Sequence, residues 1–196
     1  PLTAIKGFVE TLRHSRDEKP EDTERFIGII DKHVNRLAAI VEDIISLSKI
    51  EQDDGEKEIR LQKSPIRNVI QAAVGNCQEK AEQKEIKIDI GCEKDISAMI
   101  DATLLEQAIF NLLDNAINYS DRQNTVQVSV AVQDTETIIS VRDQGSGIAK
   151  EHIPRLFERF YRVDKARSRT LGGTGLGLAI VKHIAQAHGG QVAVES

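Results

Sequence analysis

Asp101-Ala102-Thr103-Leu104-Leu105-Glu106-Gln107-Ala108-Ile109-Phe110-Asn111-Leu112-Leu113-Asp114-Asn115-Ala116-Ile117-Asn118-Tyr119 has two faces when wound at helical pitch. Leu105, Ile109, Leu112 and Ala116 form an apolar face, while Gln107, Asn111, Asp114, Asn115 and Asn118 share the opposite arc, so a helix is expected from about Thr103 to Tyr119. Asparagine competes with the backbone for hydrogen bonds and is a poor helix former, so three on one arc call for a reason. An amide oxygen is a hard, neutral ligand that can hold magnesium beside phosphates without adding repelling charge. A plain solvated face is the alternative, and this helix alone leaves both open. Downstream, Val126, Val128, Val130, Val132 and then Ile139 and Val141 recur at every second residue, the pattern of two antiparallel strands. Upstream, a helix from about Ile66 to Glu82 precedes the alternation Ile86, Ile88, Ile90 and a short extended run ending at Ile100. A further helix from about Gly175 to His188 and a strand through Val192 and Val194 complete the pattern. Helices and strands that do not alternate regularly predict an α+β fold, with helices on one face of a mixed sheet.

Two loops carry the chemistry. Asp143-Gln144-Gly145-Ser146-Gly147 follows the strand ending at Arg142. A carboxylate at a strand end can accept from an exocyclic amine such as that of adenine, and the glycines let backbone approach a flat ligand. The same pattern also serves as an ordinary turn. Gly172-Gly173-Thr174-Gly175-Leu176-Gly177 leads into the last helix, whose N-terminal N–H groups and dipole attract phosphate. No Gly-Lys-Ser or Gly-Lys-Thr follows, so this is not a Walker loop. The strand and acidic residue of a dinucleotide-binding fingerprint are also missing. Between the loops, Arg155, Arg159, Arg162, Lys165, Arg167 and Arg169 outnumber Glu158 and Asp164 within a chain of net charge −5. A basic loop beside a phosphate site suits a triphosphate. Phe157, Phe160 and Tyr161 are expected to anchor that lid to the body or to pack in the core.

The first quarter reads as two helices. Leu2, Ile5, Val9 and Leu12 make one stripe, ending near Asp17-Glu18-Lys19-Pro20. Ile27, Ile30, Val34, Leu37, Val41 and Ile44 make a longer one, widened by Phe26, Ile40, Ile45 and Leu47. Two antiparallel helices cannot cover faces that wide, so dimerisation into a four-helix bundle is expected, the alternative being packing on the rest of the same chain. Gln52-Asp53-Asp54-Gly55 marks the boundary between a hairpin domain, residues 1–52, and a second domain, residues 56–196. The 26 basic and 31 acidic side chains give no electrostatic support for general nucleic-acid binding. No apolar run is long enough to span a membrane. Cys77 and Cys92 are too few for a disulfide framework and read as small apolar packing groups in a reducing compartment.

Taken in order, Asn111 to Asn115, Asp143 to Gly147, Phe157 to Phe160 and Gly173 to Gly177 resemble the N, G1, F and G2 boxes of the sensor histidine kinases of two-component systems. Arg159 to Asp164 and Gly172 to Ile180 look especially like the group that includes phosphate-regulon and cell-envelope sensors. The resemblance covers nearly the whole chain. It implies an α/β sandwich ATP-binding domain of the type shared with Hsp90 and type II topoisomerases, with ATP and Mg2+ as cofactors. Asn115 resembles the magnesium ligand, Asn111 its neighbour, Asp143 the adenine acceptor, and Gly145 and Gly147 the adenine-side loop. Gly173, Thr174, Gly175, Leu176 and Gly177 resemble the phosphate loop, with Asn118, Tyr119 and Arg162 also at the nucleotide; the family often has Lys where this chain has Asn118. The hairpin resembles the dimerisation and histidine-phosphotransfer domain, with Pro1-Leu2-Thr3 as the tail of its H box. The phospho-accepting His and adjacent acid are then implied upstream of Pro1, leaving no catalytic residue in the chain. His14, His33, His152, His183 and His188 read as surface or packing residues. The implied activity passes the γ-phosphoryl group to that His and on to an Asp of a response-regulator receiver domain. Such a chain is a homodimer and an internal, cytoplasmic fragment of a bacterial inner-membrane receptor, touching membrane only through segments upstream. Two rivals are an ATP-hydrolysing conformational switch of the same fold and a non-catalytic dimeric signalling scaffold. The first needs a water-activating Glu where Asn111 stands, and an amide is no general base.

Overall fold

A computed structural model describes residues 1–14, 20–51, 59–92, 96–163 and 173–196. Helices α1 (Leu2–His14) and α2 (Pro20–Glu51) form the hairpin, with the Phe8 and Phe26 rings 5.6 Å apart across it. Glu21 and Asp22 open α2, where negative charge meets the positive end of the helix dipole. The expected break at Gln52 to Gly55 lies outside the described residues. The second domain runs β1 (Gln62–Pro65), α3 (Ile66–Gln83), β2 (Lys87–Gly91), β3 (Ser97–Ile100), α4 (Ala102–Tyr119), β4 (Thr125–Gln133), β5 (Glu136–Arg142) and α5 (Gly177–Ala187).

The sheet is mixed, as expected. β2 pairs parallel with β4, and β4 antiparallel with β5, Val128 standing opposite Val141. Val126, Val128 and Val130 point into the core while Gln127, Ser129 and Ala131 face outward, so one face of the sheet carries the helices. Val132 keeps the alternation but lies past the helical layer and is exposed.

Two differences from the sequence reading have physical causes. A separate two-stranded sheet joins β1 to β3, Lys63 opposite Met99. β1 gives no apolar alternation because Gln62, Lys63 and Pro65 are exposed and only its ladder makes it a strand. The expected strand through Val192 and Val194 is not one among the described residues. Its alternation exists, with both valines half-buried and Gln191, Ala193 and Glu195 exposed, but no strand bonds to it, and a strand needs a ladder.

Helix α4 holds the domain together from its centre. The Asp101 carboxylate accepts from the Thr103 and Leu104 N–H groups at 3.1 Å each, satisfying two of the unpaired donors at the helix start. Ile109, Leu113, Ala116 and Ile117 pack with α3 and the sheet in the main core. Ala108, Leu104 and Leu112 join a second core formed by Leu176 at the N-cap of α5, Ile180, Val181 and Ile184 of α5, and Leu47 of α2. Leu112 was expected on the first face and instead serves the second, because α4 is sandwiched between α3 and α5. Cys77 and Cys92 are buried free thiols, and burial pushes Cys77 up to about 11.

Candidate functional site

Three segments converge here: the C-terminal half of α4, the loop after β5, and the glycine-rich entry to α5. In the first loop, one Asp143 carboxylate oxygen accepts from the Gly145 N–H at 2.8 Å, an Asx turn on an exposed residue. Behind it stands backbone: a Cβ on Gly145 would lie 2.7 Å from the Tyr119 carbonyl oxygen. Asn124 Nδ2 donates to the Gln144 carbonyl at 3.2 Å, a second brace. Gly147 has φ +70, the left-handed region that favours glycine.

The second loop is folded against Phe160 and Arg162. The Phe160 N–H donates to the Gly175 carbonyl at 2.8 Å, and a Cβ on Gly175 would meet Phe160 Cα at 3.0 Å. Phe160 itself has φ +61, a strained conformation for a bulky residue, costing about 1–3 kcal/mol and typical of functional sites. The aromatic anchor is thereby corrected for Phe160: the residue is 58% exposed and its main chain makes the contact. Tyr161 is half-buried, its hydroxyl 2.7 Å from His152 Nδ1 and its ring under the Arg155 guanidinium. Arg162 runs along the loop, with Nη2 3.6 Å from the Cβ position of Gly173. Residues 164–172, which carry Lys165, Arg167 and Arg169 of the expected basic loop and Gly172 of the expected phosphate loop, lie outside the described residues.

Gly177 opens α5 directly against α4, where an added Cβ would stand 3.1 Å from Asn111 Oδ1. Asn115 is half-buried one turn along α4. The amide arc is therefore not a solvated face. Two of the expected site residues have partners within the chain. Asn118 turns to Asp114, donating at 2.9 Å, and Asp114 also pairs with Lys80. The Leu176 side chain is buried in the second core, while its N–H donates to Thr174 Oγ1 at 3.1 Å.

No group of three His, Cys, Asp or Glu side chains that could hold a metal occurs among the described residues. Beside the glycine-rich entry to α5 stands the amide oxygen of Asn111, with Asn115 half-buried one turn on. Neutral amide oxygens beside backbone N–H groups are a chemistry that fits a hard cation carried in on phosphate oxygens. Among the histidines, His188 Nε2 accepts from the Asp101 N–H at 3.0 Å, and His14 Nδ1 lies 2.8 Å from the Glu10 carbonyl. Burial, with Arg159 and Lys182 repelling a further charge, lowers the pKa of His183.

The sequence reading missed helix α2 as part of this site. Thr174 Oγ1 donates to Asp43 Oδ2 at 2.7 Å, Arg36 Nη2 donates to the Gly173 carbonyl at 3.4 Å, and Gln107 Nε2 donates to Ser46 Oγ at 3.1 Å. Leu47 is buried against α5, beside an open cleft of about 240 Å³ lined by Ile44, Ser48, Arg159, Phe160 and Leu176. The alternative in which the hairpin packs on its own chain is thus partly realised. Burial, aided by repulsion from Glu42 and Asp114 and opposed by the Thr174 hydrogen bond, raises the pKa of Asp43 above its ordinary 3.8. No local signal could have announced contacts across 61 to 137 residues of chain.

Residues 100–196 match the model of the histidine kinase-, DNA gyrase B- and HSP90-like ATPases, and residues 1–53 match the His Kinase A phospho-acceptor domain. The sensor histidine kinase WalK of Bacillus subtilis is 34% identical across all of this chain, which covers 32% of WalK. The sensor-like histidine kinase SenX3 of Mycolicibacterium smegmatis is 38% identical over 98% of the chain and 49% of the relative. The chain thus spans a third to a half of these relatives' length. Full-length ShkA, solved in complex with AMPPNP, superimposes with a TM-score of 0.65 at 25% identity, over 96% of this chain and 38% of ShkA. No helix among the described residues is long and apolar enough to cross a membrane.

Proposed function

The chain belongs to the sensor histidine kinases, and from that premise we propose that it binds ATP with Mg2+ between α4, the 143–147 loop and the start of α5. The observation that carries the reading is Gly177 seated on Asn111, which brings the positive end of α5 and its glycine loop onto the amide face of α4. Asp143 accepts from the adenine amine, the N–H groups around Gly173 to Gly177 hold phosphate, and Arg162 lies over the same loop. Asn115 holds the magnesium, which neutralises charge on the phosphates when bound. ShkA in complex with an ATP analogue supports the nucleotide class.

The reaction is transfer of the γ-phosphoryl group to a histidine, followed by relay to an aspartate of a response regulator. Such transfer is mainly positioning and charge neutralisation. Hydrolysis is the weaker reading, because Asn111 is an amide and Asp114 is held by Lys80 and Asn118, leaving neither as a general base. None of the five histidines in the chain is proposed as the acceptor. The parent protein is proposed to be a membrane receptor with this part in the cytoplasm.

The homodimer is also proposed. Val9, Ile27, Val34, Val41, Ile44 and Ile45 form a stripe exposed on the single chain, which a second hairpin would cover. The test is incubation with labelled ATP and magnesium: binding by calorimetry, no acid-labile phosphohistidine on this chain, and label on a version extended upstream through the H box. Stoichiometric label on His14, His33, His152, His183 or His188 would overturn the assignment of the acceptor.

A further inference from the structure

Helix α4 ends with an electrostatic need that its own sequence does not meet. The last carbonyls of a helix lack intrahelical partners and carry the negative end of the dipole. α4 has no basic residue in its last turn. The cation comes from α3 instead. Lys84, the C-cap of that helix, sends its ammonium to the carbonyls of Ile117 at 2.7 Å, Asn118 at 2.8 Å and Ser120 at 3.3 Å. An ammonium has three protons to donate, and here three helix-end carbonyls receive them.

The lysine backbone is itself fixed. Its N–H donates to the Ala81 carbonyl at 3.1 Å, and its carbonyl accepts from the Gln123 N–H at 3.3 Å. The next residue, Glu85, binds the same turn, accepting from Gln123 Nε2 at 2.7 Å. One point thus joins the end of α3, the end of α4 and the turn before β4.

That junction bears on the site through two contacts. The Tyr119 carbonyl, between the bonded carbonyls of Asn118 and Ser120, is the wall behind Gly145. Asn124, in the turn next to Gln123, holds the Gln144 carbonyl. Gly145 in turn donates to Asp143. We infer that Lys84 is a positioning residue for the adenine half of the nucleotide: it fixes the backbone wall on which the 143–147 loop rests, without touching ligand. The inference rests on the ATP-site reading above.

Because Lys84 acts at one end of the site, its loss has a signature that general destabilisation lacks. The phosphate end, Gly173 to Gly177 on Asn111, hangs from α5 and the middle of α4. Lys84→Met keeps the aliphatic stem and removes the donors. In the full chain, competition against a fluorescent ATP analogue is measured for ATP, adenosine and magnesium tripolyphosphate. The variant is expected to lose on the order of tenfold or more in affinity for ATP, a displacement effect, with a matching loss for adenosine. Tripolyphosphate affinity should stay within twofold or so of wild type, because binding there depends on the α5 end. Lys84→Arg, still cationic with several donors, should recover part of the loss.

An equal loss for all three ligands, after correction for the folded fraction by circular dichroism, would overturn the inference in favour of plain destabilisation. Unchanged adenosine affinity would overturn it too. If Lys84→Met does not fold, Lys84→Arg alone decides, through the ratio of its adenosine and tripolyphosphate losses. Wild-type chain that binds no ATP would instead remove the site reading, and the role of Lys84 with it.

Discussion

Adding one methyl group at Gly145 is the sharpest test of the adenine loop. Its Cβ would lie 2.7 Å from the Tyr119 carbonyl oxygen, 3.2 Å from that carbonyl carbon and 2.8 Å from Asp143 Oδ1. Real Cβ atoms essentially never come within 3.0 Å, so two contacts must open. Asp143 is an exposed side chain and can rotate, though it then releases the Gly145 N–H. Turning the carbonyl would disturb the carbonyls on either side of it, which are bonded to Lys84. The exposed loop is therefore what moves. Overpacking of this kind costs about 1–3 kcal/mol. If it falls on the bound geometry, Gly145→Ala weakens ATP by roughly 5- to 150-fold, at 1.4 kcal/mol for each factor of ten. The assay is calorimetric titration of ATP with magnesium, beside thermal unfolding of the same samples. Lost affinity with a nearly unchanged melting temperature is expected, since the loop lies outside both cores. Combining Gly145→Ala with Lys84→Met should cost less than the sum of the two, because a released wall can yield. Wild-type affinity in Gly145→Ala would refute the reasoning, since the loop could not then rest on Tyr119.

Asp143→Ala removes both the ligand acceptor and the Gly145 bond and should cost about 1–3 kcal/mol of ATP binding. Asp143→Asn keeps an oxygen for Gly145, so similar affinities for Asp143→Asn and wild type would show that the carboxylate does not meet the adenine amine. Because docking of α2 raises the pKa of Asp43, chiefly by burial, docking is most favoured below the ordinary value of 3.8 and weakens as pH rises through the raised one. Asp43→Asn keeps an acceptor for Thr174 without the buried charge, so amide exchange at Thr174 to Gly177 should slow at neutral pH and lose this group's pH dependence; an unchanged profile would sink the argument. Ile27→Glu with Val34→Glu should convert a dimer to a monomer in light scattering with ATP affinity intact, and a monomeric wild type would remove the dimer proposal.

What could be read in advance was whatever has a local period or a local turn chemistry. α4 shows its two faces in eighteen residues, and β4 and β5 show their alternation, so the helix-on-sheet layer follows without coordinates. The glycines at 145, 175 and 177 were legible as a group, but the reason for each is a partner far along the chain: Tyr119, Phe160 and Asn111. β1 was not legible, because strand pairing of exposed polar residues leaves no hydrophobic trace. Nor was Phe160, where backbone strain rather than ring burial makes the anchor. The contacts of α2 were hidden for the same reason as Lys84: one side chain meeting a distant carbonyl or hydroxyl has no spacing to detect.

The asparagine at 118 is the clearest case of geometry rewriting a position. A lysine there would lie one turn from Asp114, the spacing at which opposite charges pair along a helix. In this chain Asp114 already has a cation, Lys80 from α3, and Asn118 completes its hydrogen bonding as a neutral donor. A second lysine beside Lys80 would bring two ammonium groups onto one carboxylate and repel along the α3–α4 seam. On the proposed reading, positive charge for the phosphates comes instead from the other side of the site, where Arg162 runs along Gly173 and Gly175. A guanidinium suits that task, presenting a planar fork of donors to phosphate oxygens and remaining charged at any working pH. The absence of the lysine is therefore compatible with triphosphate binding, with the neutral amide tightening the end of α4 that Lys84 also holds.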